Sequence, residues 1–366
     1  MPESNGLIDL VDDRIGHFLE TRDSILLSIA PDVGPLAAFS RQFLSGGKRF
    51  RALFCYWGYR AVHDALQGQE PGHLDPVVGT AAALELFHAA ALVHDDIIDR
   101  SDTRRGAPSA HRRFAALHDE NGWEGSAAQF GEGAAVLLGD LLLGFSDDLL
   151  GEALADGVPA YRALGVRREF GRMRAEVIAG QYLDILEERS WRSEREEELL
   201  PRAERVIVYK SAKYSVQAPL VIGGILAGGT AAQLEALRDF GLPLGIAFQL
   251  RDDLLGVFGD AEVTGKPSGD DLREGKRTVL VALTRRALPP SARRVLDELL
   301  GDPGLGDEQI RMLQNTINSS GATAEVEQMI RLNVERAARA LDDAPLGDAA
   351  AEQLRELTRS VSERVA

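Results

Sequence analysis

An apolar, alanine-rich stretch from Val77 to Val93 restricts the possible folds more than any other part of the chain. Glu85 and His88 are its strongly polar residues, and no proline interrupts it. Alanine and leucine favour the α-helix, and a helix that is apolar on nearly every side must be buried. The stretch therefore predicts a core helix around which other helices pack.

Acidic residues follow this helix directly. Asp95 and Asp99 are four residues apart, with Asp96 between them, so on a helix they share one face about 6 Å apart along the axis. Carboxylates this close repel each other unless a proton, a basic group or a divalent cation lies between them. Oxygen ligands suit Mg²⁺, which shares its coordination shell with substrate phosphates, and Arg104 and Arg105 could bind the same phosphates.

A second acid pair, Asp252 and Asp253, ends another long apolar helix predicted over residues 231–257. Two such helices facing each other across a cavity could bind a metal from both sides, as in many helix bundles. One acid pair is weak evidence, and we interpret Asp147 and Asp148 as a solvated surface pair. Two pairs that each end an apolar helix, and that each precede a basic loop, indicate a functional site.

The rest of the chain also has a helical pattern. No run of β-branched residues with alternating polarity appears, and no linker is long enough to separate domains. We expect one all-α domain over residues 1–366, a helical bundle around a central cavity. Loops are expected at 101–124 and 258–275, and a loose tail at 1–6. The predicted helices cover 7–30, 48–66, 77–100, 126–155, 166–189, a segment around 209–214, and 231–257.

Composition excludes some partners and locations. The 366 residues carry a formal net charge of −16, which argues against nucleic acid, because a backbone-binding protein needs a basic face. Cys55 is the single cysteine and lies among apolar residues, so we expect a buried thiol and a cytoplasmic, reducing location. No eighteen consecutive residues are apolar, and we expect no integral membrane segment.

Six motifs in order resemble the trans-polyprenyl diphosphate synthases, which are head-to-tail prenyltransferases, and the geranylgeranyl diphosphate synthases in particular. The motifs are GGKRFR at 46–51, LFHAAALVHDDIID at 86–99, RRG at 104–106, YKSAK at 209–213, FQLRDD at 248–253 and GKPSGDD at 265–271. The resemblance implies an isoprenoid synthase fold, a homodimer and a Mg²⁺-dependent reaction. The reaction condenses isopentenyl diphosphate with dimethylallyl, geranyl or farnesyl diphosphate to make a trans-polyprenyl diphosphate, here geranylgeranyl diphosphate.

The same resemblance implies roles for individual residues. The metal ligands would be Asp95, Asp99 and Asp252. The catalytic set would be Asp95, Asp96, Asp99, Arg104, Lys210, Gln249, Asp252, Asp253 and Lys266. The allylic diphosphate would also contact Lys276, and Ser211 would join Gln249 near the reacting carbon. Isopentenyl diphosphate would be held by Lys48, Arg51, His88 and Arg105, while Gln181 and Asp184 rank lower as polar groups near the cavity.

The chain departs from the family pattern at Gly256, where a third aspartate usually follows Asp252. The next acid, Asp260, is too far along a helix to replace it. Because Asp252 is the expected ligand, we expect activity to survive; the alternative is a non-catalytic regulatory subunit of a prenyl synthase. A class I terpene cyclase is a further alternative. The Asp252–Asp253 pair and the GGKRFR motif disfavour it.

The residues before Asp95 are expected to set the length of the product chain. Ala90 and Ala91 leave room for a growing chain, and Leu84 and Phe87 could form a floor that stops it at geranylgeranyl diphosphate. The alanines could equally serve only to let helices approach closely, and both interpretations stay open. His94 should point about 100° away from Asp95 on the helix, which predicts a packing role.

Overall fold

A computed structural model describes the backbone of residues 2–44, 46–67, 74–155, 157–259, 268–302 and 304–362. The first helices are α1 (Pro2–Ile29), α2 (Gly34–Leu44), α3 (Phe50–Gln67), α4 (Asp75–Ile98), α5 (Ala110–Glu120), α6 (Ala127–Ala153), α7 (Ala160–Ser190) and α8 (Glu196–Val206). A π-helical segment (Ile207–Gln217) then leads into α9 (Ala218–Ala227) and α10 (Ala231–Phe258).

The remaining helices are α11 (Asp270–Glu274), α12 (Val279–Ala287), α13 (Pro290–Leu299), α14 (Asp307–Ser319), α15 (Ala322–Ala340) and α16 (Asp348–Ser362). Single 3₁₀ turns lie at Pro31–Val33 and Trp191–Ser193. The strands in the described ranges are β1 (Thr103–Arg104) and β2 (Ala107–Pro108), which pair antiparallel as one small hairpin. The all-α prediction is confirmed.

Helix α4 is the central helix, as its sequence predicts. It packs against α3 and α6 and also contacts α1, and nearly every residue from Val77 to Ala90 is buried. By length and composition it could cross a membrane, but 78% of its most apolar window is buried inside the bundle. Burial of this kind is typical of the core helix of a helical domain.

The π-helical segment packs between α7 and α10 at very short range. A Cβ added to Gly180 of α7 would lie 2.4 Å from the backbone nitrogen of Lys210. A Cβ added to Gly245 of α10 would lie 2.6 Å from the Cα of Ala212. Glycine is therefore required on both sides of the segment, and the approach places its backbone next to the cavity described below.

The sequence predictions differ from the structure mainly at helix ends. Helix α1 begins at Pro2, so the expected tail at 1–6 is helical from residue 2. Helix α5 lies inside the predicted loop 101–124. Its buried face is short and two of its four buried residues, His111 and His118, are histidines, so no long apolar pattern marks it in the sequence. Helix α11 lies inside the predicted loop 258–275. Cys55 is fully buried, as expected, and burial raises its pKa to about 12.

Candidate active site

A cavity of about 750 Å³ lies among α3, α4, α7, the π-helical segment and α10. The predicted basic residues that line it are Lys48, Arg51, His88, Arg104, Lys210 and Lys276. The predicted acidic and neutral residues that line it are Asp95, Gln181, Asp184, Ser211, Gln249, Asp252 and Asp253. These residues include members of five of the six motifs, and Asp270 and Asp271 of the GKPSGDD motif also line the cavity. Lys266, which was also predicted, lies outside the described residues.

Asp95 faces two cations from different parts of the chain. Its Oδ1 lies 3.5 Å from Nζ of Lys210, and its Oδ2 lies 3.6 Å from Nη2 of Arg104. Burial alone would raise the pKa of Asp95, but the charges of Lys210 and Arg104 outweigh it and hold that pKa below its usual value. The carboxylate is thus ionised inside the cavity.

Asp96 has a different surrounding. Its side chain is completely buried and accepts a hydrogen bond from Nε of Arg104 at 2.8 Å, with a second, shorter contact from Nη2. It is absent from the described lining of the cavity. Its geometry orients Arg104 toward Asp95, and the catalytic role expected for Asp96 stays a prediction.

Asp99 opens onto an adjoining cavity of about 890 Å³. Helix α4 ends at Ile98 and Asp99 is its C-cap, but the Asp99 amide still donates to the Asp95 carbonyl oxygen at 2.8 Å, so Asp99 stays on the face of Asp95. The two cavities share Asp270 and Arg277 in their linings. Burial and the negative charge of Asp95 raise the pKa of Asp99 to about 7. The pair therefore spans the junction of the two cavities rather than lying in one of them.

The π-helical segment supplies the central cation. Nζ of Lys210 lies 2.5 Å from Oδ2 of Asp184 on α7. Burial opposes a charge on Lys210, but Asp95, Asp184 and Asp99 outweigh it and raise the pKa of the amine. Lys210 is therefore a permanent positive charge next to the first acid group.

The second acid group lies at the end of α10. Asp252 lines the cavity, and Asp253 is 5% exposed and accepts a hydrogen bond from Nε2 of Gln249 at 2.8 Å. Burial raises the pKa of Asp253 to about 8; the Gln249 hydrogen bond opposes the shift, and the charges of Asp271 and Asp252 add to it. The raised pKa reflects carboxylates held close together in a buried place, and a bound cation relieves the repulsion between such groups.

The basic pocket is organised around Tyr214. The guanidinium of Arg51 lies 4.4 Å from the centre of the Tyr214 ring and donates to Oγ of Ser215 at 2.7 Å. Nδ1 of His88 lies 3.0 Å from the Tyr214 hydroxyl. Burial, followed by the positive charge of Arg51, lowers the pKa of His88 well below its usual value, so the imidazole is neutral. Arg105 is outside the described lining, with Nη1 3.4 Å from the Gly46 carbonyl oxygen.

The residues present fit a magnesium ion. Among the described residues, no three His, Cys, Asp or Glu side chains form a ready-made metal site. Mg²⁺ does not need one, because it binds through one or two carboxylates together with waters and substrate phosphates. Oδ1 of Asp95 and Oδ2 of Asp253 are buried and have no hydrogen-bond partner in the described structure, and such oxygens are the donors that Mg²⁺ prefers.

The residues before Asp95 separate into two groups. Ala91 lines the cavity, and Ala90 is buried behind it. Leu84 and Phe87 are not among the described lining residues; Phe87 packs its ring edge against Phe170, in the core. Phe87 also packs against Tyr214, which does line the cavity, and the role of Leu84 and Phe87 as a floor stays a prediction. The apolar lining comes mainly from Val177, Ala203, Val206, Ile207, Phe248 and Leu255.

His94 packs between α4 and α6, as predicted. Its Nε2 lies 3.4 Å from the Val136 carbonyl oxygen and 3.5 Å from Asp140. Sequence reasoning missed Tyr214, Ser215 and Asp271, which also line the cavity. The signal for Asp271 was its place in the GKPSGDD motif. Tyr214 and Ser215 directly follow the YKSAK motif, and their spacing of four from Lys210 and Ser211 was the available signal.

Comparison with known proteins gives a consistent result. A family model described as polyprenyl synthetase matches residues 35–317. The chain is 31% identical over 332 residues to the geranylfarnesyl diphosphate synthase of Aeropyrum pernix, covering 90% of this chain and 93% of the relative. It is 32% identical over 302 residues to the geranylgeranyl diphosphate synthase of Sulfolobus acidocaldarius, covering 82% of each.

A solved structure extends this likeness to nearly the whole chain. The geranylgeranyl pyrophosphate synthase of Corynebacterium glutamicum, complexed with isoprenyl diphosphate and magnesium, superposes with a TM-score of 0.91 at 39% identity. The match covers 98% of this chain and 99% of that one. Together with the motifs in the cavity, these matches show that the chain belongs to the polyprenyl synthetase family.

Proposed function

We propose that this chain is a Mg²⁺-dependent prenyltransferase that joins isopentenyl diphosphate head-to-tail to an allylic diphosphate. The observation that carries the proposal is a single cavity lined by Asp95 of the first acid group, by Asp252 and Asp253 of the second, and by the Lys210 and Arg104 cations. Arg51 and His88 line another part of the same cavity, around Tyr214. The reaction needs two binding regions, because one diphosphate leaves its substrate and the other stays attached. The proposed product is geranylgeranyl diphosphate, and dimethylallyl, geranyl and farnesyl diphosphates are the proposed primers.

The allylic diphosphate occupies the region of Asp95 and Asp252. When bound, Mg²⁺ supplies positive charge to the oxygens of the leaving diphosphate. Arg104, Lys210 and Lys276 add fixed positive charge, and the buried Asp96 keeps Arg104 in place. Charges that are already oriented in a cavity with little water stabilise a leaving anion without reorganising during the reaction.

Isopentenyl diphosphate occupies the pocket of Lys48, Arg51 and His88. This pocket holds cations and a neutral imidazole, so it binds the second diphosphate without activating its departure. The Tyr214 ring and the Ser215 hydroxyl hold the Arg51 guanidinium, a group that can form paired hydrogen bonds to phosphate oxygens. Arg105 is placed to contribute charge from outside the described lining.

The bond changes then follow from these positions. The allylic carbon–oxygen bond breaks, and the electron pair leaves with the diphosphate. The double bond of isopentenyl diphosphate donates its electron pair to the allylic cation, forming the new carbon–carbon bond and a tertiary cation. A proton passes to the departed diphosphate and restores an alkene. The apolar lining, which includes Val177, Ile207 and Phe248, excludes the water that would trap the cation.

We also propose a homodimer, supported by an apolar row on the surface of α6. Phe130 and Leu137 are 38% and 61% exposed, and Ala134 and Leu141 continue the same face at intervals of three and four residues. A helix face of this kind is normally covered by a partner. Light scattering coupled to gel filtration measures the mass, and L137E should shift a dimer toward monomer. A cytoplasmic location stays a prediction.

The test of function is a product analysis. Purified protein, Mg²⁺ and labelled isopentenyl diphosphate are incubated separately with each of the three primers, and the products are separated by chain length. D252N should abolish turnover, whereas D147N, an exposed aspartate paired with Arg174, should not. A cyclic hydrocarbon would instead indicate a terpene cyclase. Absence of turnover in folded protein would indicate a non-catalytic subunit.

A further inference from the structure

Gly256 leaves the second acid group short of one side chain. It lies four residues after Asp252 on α10, so the two share one face of the helix, and both line the cavity. A side chain at residue 256 would therefore join Asp252 in that cavity. With glycine at this position, the volume that a side chain of residue 256 would occupy is open to another group.

The carboxylate of Asp271 fills it. A Cβ added to Gly256 would lie 2.0 Å from Oδ2 of Asp271 and 2.4 Å from its Cγ. No real Cβ tolerates such a distance, because nonbonded carbon contacts have their optimum at about 3.5–4.0 Å. The carboxylate thus lies against the α10 backbone, in the volume where the side chain of residue 256 would begin.

Helix α11 is anchored so that Asp271 stays there. Leu272 is fully buried, and its carbonyl oxygen accepts a hydrogen bond from the Gly301 amide at 2.9 Å. The Asp271 carbonyl oxygen accepts from the amides of Gly275 and Lys276, each at 3.0 Å. These contacts fix the α11 backbone independently of the Asp271 side chain, so the carboxylate does not have to hold the helix in place.

The surroundings of Asp271 point to a cation. Nζ of Lys276 lies 3.2 Å from its Oδ1, and Asp252 and Asp253 line the same cavity. Oδ2 of Asp253, in a side chain that is more than nine-tenths buried, has no hydrogen-bond partner in the part of the chain that the structure describes. The charges of Asp252 and Asp271 both act on Asp253, and carboxylates held this close together are stabilised by a divalent ion.

We propose that Asp271, delivered from α11, supplies to the second acid group the third carboxylate that α10 lacks at Gly256. The acid group is thus assembled from two helices, and Gly256 is the residue that admits the carboxylate of Asp271. This inference rests on the proposed function, and it removes the reason to regard Gly256 as a sign of lost activity. Asp271 acts here as a positioning residue beside the ion.

The test exchanges the carboxylate between the two positions. Mn²⁺ is titrated into the full-length protein with inorganic diphosphate, and bound ion is followed by electron paramagnetic resonance. D271A should weaken Mn²⁺ binding by about 10-fold or more, the loss typical of removing an outer partner of a metal site. G256D alone should weaken it as well and lower the unfolding temperature, because its side chain collides with Asp271.

The double variant G256D/D271A should recover binding to within about 3-fold of the wild type, since the carboxylate now starts from α10. G256A/D271A is the matched control, because it fills the same space without a carboxylate, and it should stay weak. Unfolding temperatures of the metal-free proteins show whether each variant is folded. D271N, which keeps the shape and removes the charge, covers the case in which D271A does not fold.

The outcomes separate this inference from the proposed function. If D271N or D271A is folded and binds Mn²⁺ as the wild type does, while the wild type makes prenyl products, the role of Asp271 is overturned and the function stands. Equal recovery by G256A/D271A would also overturn it, because space rather than charge would then be the cause. If the wild type neither binds Mn²⁺ with diphosphate nor makes products, both conclusions fail.

Discussion

Lys210 and Asp184 form an ion pair in which Nζ lies 2.5 Å from Oδ2, and the pair joins the π-helical segment to α7 at the edge of the cavity. The same amine lies 3.5 Å from Asp95. Lys210 is thus held between an acid that lines the cavity from α7 and the first acid of the α4 motif. Its position is set before any substrate binds.

Replacement of Lys210 by alanine should lower kcat/KM for the allylic diphosphate by about 100-fold or more, the usual effect of losing one oriented group that stabilises a leaving oxygen. D184N should lower it less, by about 10-fold, because the amine remains but is no longer held. Steady-state kinetics with each primer measure both effects. K213A is the matched control. Lys213 lies three residues after Lys210 and pairs with Glu176, but it is not among the described lining residues. A loss of equal size in K213A would contradict the assignment.

The buried Asp96–Arg104 pair should be important for stability. In D96A the guanidinium loses its completely buried partner, and removal of one member of a buried pair costs about 3–5 kcal/mol. Urea unfolding of the metal-free protein measures the loss. The Asp102–Arg112 pair, in the same part of the chain but about half exposed on both sides, is the control, and D102A should cost less than about 1 kcal/mol. Equal losses would show that Asp96 does not support Arg104.

Acidic pH should destabilise the protein through His88. Burial and nearby arginines lower the pKa of His88 below its usual 6.5, so the unfolded chain takes up a proton that the folded chain does not. The stability due to the neutral imidazole is therefore fully present above about pH 6.5 and is lost as the pH falls, by about 1.4 kcal/mol per pH unit.

Unfolding free energies of wild type and H88N between about pH 8 and pH 5 check this. The difference between the two proteins should change with that slope, because the asparagine does not titrate. H17N, which removes an exposed imidazole on α1, is the control. Parallel profiles for wild type and H88N would refute the prediction.

An aromatic side chain at Ala91 should shorten the product. Ala91 lines the cavity one turn before Asp95, so A91F should obstruct the path of the growing chain and shift the products toward shorter diphosphates. Product chain lengths by liquid chromatography and mass spectrometry give the result, and A91V, with a smaller increase in volume, should shift them less. An unchanged distribution in A91F would show that the chain does not pass this residue.

Much of this fold is readable in the sequence where the signal is local. The uninterrupted apolar stretch that ends at Val93 predicts the core helix. One acid pair comes directly after that stretch, and the other lies near the end of the apolar helix α10. Helix α5 was missed because its buried face is short and includes His118, a residue that pattern reasoning counts as polar. Local periodicity is informative only where the buried face is long and apolar.

The geometry of the site could be predicted from the sequence only in part. Asp95 and Asp99 share one helical face, as expected, but they line two adjoining cavities, and the division between those cavities depends on how distant segments pack. The approach of Asp271 to Gly256 depends on how α11 packs against α10, which no spacing within either motif records. Contacts between distant segments are set by packing, so sequence patterns locate the participants more readily than their geometry.

The π-helical segment makes the cavity sensitive to chain length as well as to side-chain identity. Lys210, Ser211, Tyr214 and Ser215 all face the cavity from this segment, which Gly180 and Gly245 hold closely from both sides. Deleting one residue would return the segment to the tighter α-helix and rotate the residues on one side of the deletion by about 100° relative to the other. Either Lys210, or the Tyr214 and Ser215 side chains that hold Arg51, would then leave the cavity. Insertions and deletions between α8 and α9 should therefore be harder to tolerate than most substitutions there.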